Sequence, residues 1–185
     1  MLFRSGWIET RWGITPVFIA TTGQACGVTN AYAVPGSLGV DRWAALIGAH
    51  HHGGGATCIV DCGTAITLDM LAADGVHQGG LILPGIEMMK QMLLKNTAVV
   101  NTSTTQQVAK LFAMSTGDAV NSGALYMAAA AIDRTVGDMA EALGIAADVI
   151  ITGGDASRIA TLLAMPVRHD PELVLKGLAI LTGEH

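Results

Sequence analysis

Residues 60–69 contain side chains that could bind a phosphate group and a cation. The stretch VDCGTAITLD places two carboxylates, Asp61 and Asp69, around a Gly63-Thr64 turn between two apolar runs. We expect a strand to carry Asp61 to the turn, where Gly63 permits close backbone approach and Thr64 offers a hydroxyl and an N–H to a phosphate oxygen. Asp69 is the weaker candidate, since we expect it to face solvent at the far end of its strand. A plain β-hairpin with solvated acids is the alternative for this segment alone.

A negatively charged and a positively charged residue are adjacent in residues 32–43, YAVPGSLGVDRW. Asp41 and Arg42 come where an Ala-rich helix is predicted to begin, and a carboxylate is stabilised by the dipole at a helix N-terminus. Asp41 could therefore serve as a general base, while Arg42 could hold an anionic substrate in a bidentate grip. The alternative for an isolated pair of this kind is an N-cap Asp that pairs locally with the Arg.

Three further motifs lie downstream: GGLILPG at 79–85, STGDAVNSG at 115–123 and ITGGD at 151–155. Together with GVDRW at 39–43 and the VDCGTAITLD stretch, and in this order, they resemble the type III pantothenate kinases, the group that also includes proteins called Bvg accessory factors. The similarity covers essentially the whole chain from about Gly27 onward. The combination of motifs is specific enough to make a chance match an unsatisfactory explanation.

The resemblance implies an α/β protein with the actin-like ATPase (ribonuclease H-like) fold, a mixed sheet flanked by helices. Members of the family begin with an Asp-x-Gly-Asn-Thr motif that wraps the nucleotide phosphates, and no such motif occurs before Thr10. We therefore expect the first half-domain to be truncated, with residues 1–52 its remnant and residues 53–185 the C-terminal half-domain. The run HHHGGG at 50–55 is predicted to be the connector, because its three glycines indicate a flexible segment. A metal site is disfavoured there, since adjacent His side chains do not converge on one ion.

The activity that the resemblance implies is transfer of the γ-phosphoryl group of ATP to the 4′ hydroxyl of pantothenate, the first step of coenzyme A biosynthesis. Such a transfer depends on positioning and charge neutralisation. By the match of motifs, Asp41 would accept the proton of the hydroxyl and Arg42 would pair with the pantothenate carboxylate. Thr116 matches a residue that contacts pantothenate, and an N-cap role is an equal alternative for it. The implied pantothenate pocket comprises Tyr32, Gly39, Val40, Asp41, Arg42 and Thr116.

The resemblance also implies ATP and a monovalent cation as cofactors. Asp61 matches the acid that binds potassium or ammonium, a role that suits an oxygen ligand, and Thr64 matches a residue that contacts ATP. Magnesium is expected to accompany the nucleotide. Gly63, Gly153 and Gly154 complete the expected ATP contacts, and a plain Gly-rich turn explains residues 153–154 almost as well.

A function of another class stays open at this point. The chain could be a non-catalytic accessory or binding protein derived from such a kinase, which keeps the pantothenate half of the site but cannot hold ATP because the N-terminal motif is absent. A generic actin-like sugar or acyl kinase is disfavoured by the closeness of GVDRW to VDCGTA.

The apolar pattern predicts which elements position these motifs. We expect the hairpin strands to pair antiparallel and the last strand to run parallel to the core. The predicted strands are 17–21, 57–61, 64–72, 76–83 and 149–152, and the predicted helices are 41–51, 85–95, 104–112, 118–143, 156–163 and 171–182.

The predicted helix 118–143 is apolar on nearly all sides, and its small residues permit close approach of another helix. We expect it to form the interface of a homodimer. The alternative is a central helix in the core of a monomer.

Composition limits the other partners. The apolar stretch 124–132 is broken by Asp133 and Arg134 before it reaches the ~18 residues of a membrane span. A net charge of −5 without a basic stripe argues against nucleic-acid binding. Three cysteines without metal-ligand spacing, and no signal peptide in residues 1–10, indicate a cytoplasmic protein.

Overall fold

The computed structural model describes residues 2–96 and 108–183. A short 3-10 turn, Pro35–Ser37, precedes the second helix. The strands are β1 (Gln24–Ala25), β2 (Val28–Thr29), β3 (Thr57–Cys62), β4 (Ala65–Leu71), β5 (His77–Pro84), β6 (Asp148–Thr152) and β7 (Arg168–His169), and the helices are α1 (Leu2–Trp12), α2 (Val40–His51), α3 (Ile86–Asn96), α4 (Thr116–Leu143), α5 (Ala156–Ala160) and α6 (Leu173–Thr182).

Five strands of the described chain form one mixed sheet in the order β5-β4-β3-β6-β7. Strands β3, β4 and β5 pair antiparallel, whereas β6 pairs parallel to β3 and β7 parallel to β6. Both expectations for strand direction are therefore confirmed, as is the mixed sheet flanked by helices. Asp61 is in register with Thr152 of β6, so the carboxyl ends of β3 and β6 lie side by side.

The alternation of side chains along the strands sends successive residues to opposite faces of the sheet. On one face, called here the α4 face, Val60 and Leu68 join a core that includes Leu125 of α4. On the other, the α2 face, Ile59 and Ile150 pack with residues of α2 and α6. Asp61 lies two residues after Ile59 on β3, and Asp69 of β4 is paired directly opposite Ile59. Both carboxylates therefore belong to the α2 face.

Helices α2 and α6 approach each other through two glycines. A methyl group at Gly177 would meet the backbone carbonyl of Ala44, and one at Gly48 would lie 2.6 Å from the carbonyl oxygen of Leu173. The absence of Cβ atoms lets the two backbones meet, which fixes α2 firmly across the sheet. The N-terminus of α2, where Asp41 and Arg42 lie, is positioned by this contact.

Helix α4 begins at a side-chain cap and ends at a left-handed glycine. Ser115 Oγ accepts a hydrogen bond from the Asp118 N–H at 3.2 Å, and Gly144 has φ 63°. The helix is not buried on all sides, because Tyr126 and Met127 are exposed on the surface opposite its core-facing side. The expectation of an interface on α4 therefore concerns one exposed strip of the helix.

The N-terminal region differs from the sequence prediction. Residues 17–21 form no strand; Val17 is 74% exposed, with nothing in the described chain to pair with it. Residues 24–29 form a small hairpin instead, and residues 2–12 form a helix that the pattern did not predict. Propensity for β structure is insufficient where no neighbouring strand accepts the hydrogen bonds.

Two further predictions are wrong in detail. The expected helix 104–112 is not helical over residues 108–112, and its remaining residues lie outside the described ones. The helix expected at 156–163 ends at Ala160. Elsewhere the predicted core strands and long helices are confirmed within a few residues. No helix in residues 2–96 and 108–183 combines the length and apolar character that crossing a membrane requires.

Candidate functional site

Three turns meet at the carboxyl edge of the sheet, after β3, β5 and β6. The Gly85 N–H, after β5, donates a hydrogen bond to the Thr64 carbonyl at 3.1 Å, and the Asp155 N–H, after β6, donates to the Cys62 carbonyl at 3.0 Å. The carboxyl ends of strands in α/β sheets are where ligands of this fold class usually bind. The motifs VDCGTAITLD, GGLILPG and ITGGD thus converge at one place.

The Asp61 carboxylate occupies the crevice between two of these turns. It is half-buried, and a methyl group at Gly153 would lie 2.5 Å from its Oδ1 atom. Burial raises the pKa of Asp61, and the negative charge of Asp41 raises it further. A cation bound beside Asp61 would offset both effects, because each disfavours the ionised carboxylate.

The glycines of the site have different constraints. Gly153 has φ 93°, a conformation that side chains rarely adopt, and is crowded by Asp61 and the backbone of Cys62. A side chain at Gly63 would make only ordinary contacts, the nearest at 3.7 Å, and one at Gly154 would meet nothing. The packing therefore requires glycine at position 153 but not at position 63, and the expected approach of a phosphate to Gly63 stays a prediction.

Asp41 lies in the first turn of α2 and is exposed to solvent. The N-cap of the helix is Gly39, and Asp41 Oδ1 accepts a hydrogen bond from the Arg42 N–H at 2.8 Å. The alternative of an N-cap Asp is therefore wrong. The negative charge of Asp41 contributes to the raised pKa of Asp61, second to burial.

The Arg42 side chain does not pair with its neighbour Asp41. Its Nε donates to Asp69 Oδ2 at 2.8 Å and its Nη2 donates to Asp69 Oδ1 at 2.6 Å, so Asp69 holds the guanidinium with both oxygens. Arg42 and Asp69 are both buried. The expectation that Asp69 faces solvent is wrong, because its position on β4 points it inward, to the α2 face. The local Asp41–Arg42 ion pair is likewise wrong.

Tyr32 and His77 complete the surroundings of Arg42. Arg42 Nη1 donates to the Tyr32 hydroxyl at 3.0 Å, and His77 Nε2 lies 2.8 Å from Asp69 Oδ1. The rings of Tyr32 and His77 are stacked with centroids 6.1 Å apart. Sequence reasoning did not single out His77. The available signal was a lone carboxylate, Asp69, inside an apolar strand, since a buried acid requires partners.

Thr64 and Thr116 are both exposed but lie on different elements. Thr64 forms the tip of the turn after β3, whereas Thr116 opens α4, which packs on the other face of the sheet from α2. The N-cap alternative for Thr116 is wrong, because Ser115 caps the helix. The described contacts thus bring Tyr32 and Arg42 together but do not bring Thr116 to them.

A second charged group lies beside the Gly153 turn. Arg158 Nη1 donates to Asp155 Oδ1 at 2.7 Å, and its Nη2 donates to Oδ1 of Asn121, a buried residue of α4, at 3.1 Å. The positively charged side chain of Arg158 thus lies beside Asp155 at the turn that follows β6. The pattern ITGGD predicted the turn but not this arginine.

Comparison with known proteins decides the family. The sequence model of the type III pantothenate kinases matches residues 4–138. The chain belongs to this family. A type III pantothenate kinase from Nitrosococcus oceani is 48% identical over 178 residues, which are 94% of this chain and 67% of the relative. One from Methylobacillus flagellatus is 40% identical over 168 residues, 86% of this chain and 67% of the relative.

A solved structure of the same kind agrees with the fold. A Campylobacter jejuni protein, described as a transcriptional activator of the Baf family, superposes with a TM-score of 0.55 and 26% identity, covering 90% of this chain and 69% of its own. The chain therefore spans about two thirds of the length of the relatives it matches. The recognition as a type III pantothenate kinase family member is confirmed.

The chemistry available in this pantothenate kinase family member comes from few side chains. In the described residues, no group of three or more His, Cys, Asp or Glu could hold a metal ion. Asp61 itself supplies one carboxylate, an oxygen ligand of the kind that hard cations take. An exposed carboxylate at Asp41 is available for proton transfer.

Proposed function

We propose that this chain phosphorylates pantothenate with ATP, the activity that the names of its curated relatives carry. The observation that supports it best is that the turns after β3, β5 and β6 meet at one edge of the sheet, where the half-buried Asp61 carboxylate lies against Gly153. Asp41 would accept the proton of the 4′ hydroxyl as the phosphoryl group arrives. Asp61 would stand on the nucleotide side of the crevice.

The ATP side of the site consists of turns with backbone N–H groups. Thr64 would contact the phosphates, and Gly63, Gly153 and Gly154 would line the nucleotide. Potassium or ammonium at Asp61 would lower the negative potential that phosphates meet there, and magnesium would accompany the ATP. These contributions are positional and electrostatic, which is what phosphoryl transfer requires of a protein.

The proposed pantothenate contacts are Tyr32, Gly39, Val40, Asp41 and Arg42, together with Thr116, which opens α4 and which the described contacts do not bring to Tyr32 and Arg42. Within residues 2–96 and 108–183, three of the five N–H groups of Arg42 bind Asp69 and Tyr32, which leaves two for a substrate carboxylate. Asp69 offsets the charge of Arg42, so recognition of the carboxylate would depend on hydrogen bonding more than on net charge.

The proposal is tested on the 185-residue protein itself. We expect formation of 4′-phosphopantothenate that requires both pantothenate and ATP, and that is faster in potassium or ammonium than in sodium salts. Isothermal titration with pantothenate and with a non-hydrolysable ATP analogue separates the two half-sites. Binding of pantothenate without binding of the analogue would support the accessory protein instead, an alternative that the comparisons do not favour. Failure to bind pantothenate would contradict the proposal.

We further propose a homodimer built on α4. An apolar groove of ≈ 630 Å³ runs between α3 and α4, lined by Gly123 and Met127 of α4 and by Met92 of α3 among others. Met127 is 56% exposed, and a second copy of α4 would cover it. Light scattering should report a dimer that Met127→Glu dissociates, while Leu175→Glu, an exposed apolar residue of α6, leaves it intact. A monomeric native chain would exclude this interface.

The proposal also covers the location of the protein in the cell and the division of the chain into two parts. We place the protein in the cytoplasm, without nucleic-acid or membrane partners, because its three cysteines are free and its net charge is −5. The division into residues 1–52 and 53–185 is also kept as a proposal; α2 of the first part packs on β3 and α6 of the second.

A further inference from the structure

Asp69 is a buried carboxylate shared by an arginine and a histidine. The exposed side-chain fractions are 3% for Asp69, 6% for Arg42 and 0% for His77. Oδ1 of Asp69 receives both Arg42 Nη2 and His77 Nε2, while Oδ2 receives Arg42 Nε. A buried ion pair is favourable only when further hydrogen bonds satisfy the polar atoms of both charged groups. Here the side chains of Arg42 and His77 provide those hydrogen bonds to Asp69.

The tautomer of His77 follows from its neighbours. The Ala31 N–H donates a long hydrogen bond, 3.5 Å, to His77 Nδ1, so Nδ1 is the acceptor and the ring proton lies on Nε2, facing Asp69. Ala31 directly precedes Tyr32, whose ring stacks on His77. His77 therefore joins residues 31–32, called here the Tyr32 loop, to the buried carboxylate of Asp69.

The outer end of this chain of contacts is the Tyr32 hydroxyl. It accepts a hydrogen bond from Arg42 Nη1, so its own proton is directed to another acceptor. Hydrogen bonds in series polarise one another, which strengthens the last donor. Tyr32 is half-buried and is the member of the group with the largest access to solvent. A substrate oxygen would meet this hydroxyl first.

We propose that Asp69 and His77 are positioning residues for pantothenate: they fix Arg42 and the Tyr32 loop so that the Tyr32 hydroxyl donates to the pantothenate carboxylate. The inference rests on the proposed function. Asp69 and His77 do not touch the substrate; each acts through Arg42 or Tyr32. Burial by itself would lower the pKa of Arg42, but the hydrogen bonds and charge of Asp69 raise it, so the guanidinium keeps its charge and its donors.

The decisive variants are His77→Phe, Tyr32→Phe and the double variant. Phenylalanine at position 77 keeps a ring to stack on Tyr32 but loses both hydrogen bonds. We expect each single variant to weaken pantothenate binding about tenfold, the effect of one lost hydrogen bond to a charged group, with the affinity for a non-hydrolysable ATP analogue unchanged. The double variant should be no weaker than either single one, because both changes break the same chain of contacts.

A rescue variant and a matched control separate positioning from folding. His77→Gln provides an amide that can donate to Asp69, and we expect it to restore most of the pantothenate affinity. Asp170 is the control, because it is also a buried carboxylate that holds a histidine and a cation, with His52 Nε2 at 2.9 Å and Lys176 Nζ at 2.8 Å. His52 follows the last turn of α2, about 16 Å along the helix axis from Asp41. Asp170→Asn should lower the thermal midpoint without changing pantothenate affinity.

Isothermal titration of pantothenate into each folded variant gives the answer without turnover. If native protein binds pantothenate and His77→Phe binds it equally well, the inference is overturned and the proposed function stands. Additive losses in the double variant, or an equal loss for pantothenate and ATP, would also overturn it. If the native chain does not bind pantothenate, both proposals fall together. Asp69→Asn is the harsher variant, since it leaves Arg42 without its buried counter-ion.

Discussion

The Asp61 carboxylate and Gly153 lie in such close contact that a methyl group on Gly153 would be 2.5 Å from Asp61 Oδ1. The two residues are separated by 92 positions in the chain, and the parallel pairing of β3 and β6 brings them together. One end of the sheet thereby presents an acid enclosed by turns.

Gly153→Ala should damage the site more than Gly154→Ala. At φ 93° an alanine is strained, a cost of about 1–3 kcal/mol, and its methyl group would displace Asp61. We expect a lower free energy of unfolding and a weaker response to potassium. Gly154→Ala is the matched control, because a methyl group there meets nothing within 4 Å. Urea unfolding of both variants checks the prediction, and equal stabilities would contradict it.

Asp61→Asn should stabilise the protein at neutral pH while removing the potassium response. The pKa of Asp61 is raised above its usual 3.8, so the folded state retains this proton to higher pH than the unfolded state does. Its contribution to stability therefore falls as the pH rises above that value, and the asparagine variant avoids the loss.

Thermal unfolding at several pH values measures this difference. The gain of Asp61→Asn over the native chain should be present at pH 7 and shrink as the pH falls towards 4. Asp148→Asn, which removes an exposed acid on the neighbouring strand, is the control for the loss of one negative charge. Potassium should raise the midpoint of the native chain alone; an equal rise in Asp61→Asn would place the cation elsewhere.

Asp41→Asn should abolish phosphoryl transfer and leave folding intact. Asparagine keeps an oxygen that can accept the Arg42 N–H, and the side chain is exposed, so the free energy of unfolding should change by less than about 0.5 kcal/mol. Loss of a general base reduces the rate by roughly 10²–10⁴-fold. A phosphorylation assay with Asp74→Asn as the control tests this, and native turnover in the variant would remove Asp41 from its role.

Gly177→Ala and Gly137→Ala should change stability in opposite directions. Both glycines lie inside helices, where alanine is favoured by roughly 0.5–1 kcal/mol. A methyl group at Gly137 meets nothing within 4 Å, whereas one at Gly177 would collide with the Ala44 backbone and force α6 away from α2. Chemical denaturation should therefore give a more stable Gly137→Ala and a less stable Gly177→Ala. Stabilisation by both substitutions would show that the two helices are not in contact.

Only one of the three thiols should react in the folded protein. Burial raises the pKa of Cys58 and of Cys62 to about 12, with a further contribution from nearby carboxylates, whereas Cys26 is exposed. Ellman's reagent at pH 8 should titrate one thiol in native buffer and three in guanidinium chloride. Cys26→Ser should remove the fast reaction, and rapid modification of all three in the native state would refute the assignment.

Sequence pattern was sufficient for the core strands β3 to β6 and the long helices, because each has a sustained apolar period and clear bounding residues. It failed at residues 17–21, where β-branched residues have no neighbouring strand, and it missed β7, which has only two residues. Short elements carry too few residues to set a period. Their existence depends on what lies beside them.

The amino-acid order by itself determined the motifs, the turn at Gly63-Thr64 and the start of α2, because these depend on residues within a few positions of one another. Only the tertiary structure decided the partner of Arg42. Its neighbour Asp41 was the nearer acid along the chain, but the helix directs the guanidinium across β4 to Asp69, 27 positions away. A buried charge takes the acceptor that the packing places in its reach, and sheet register, not sequence distance, sets that reach.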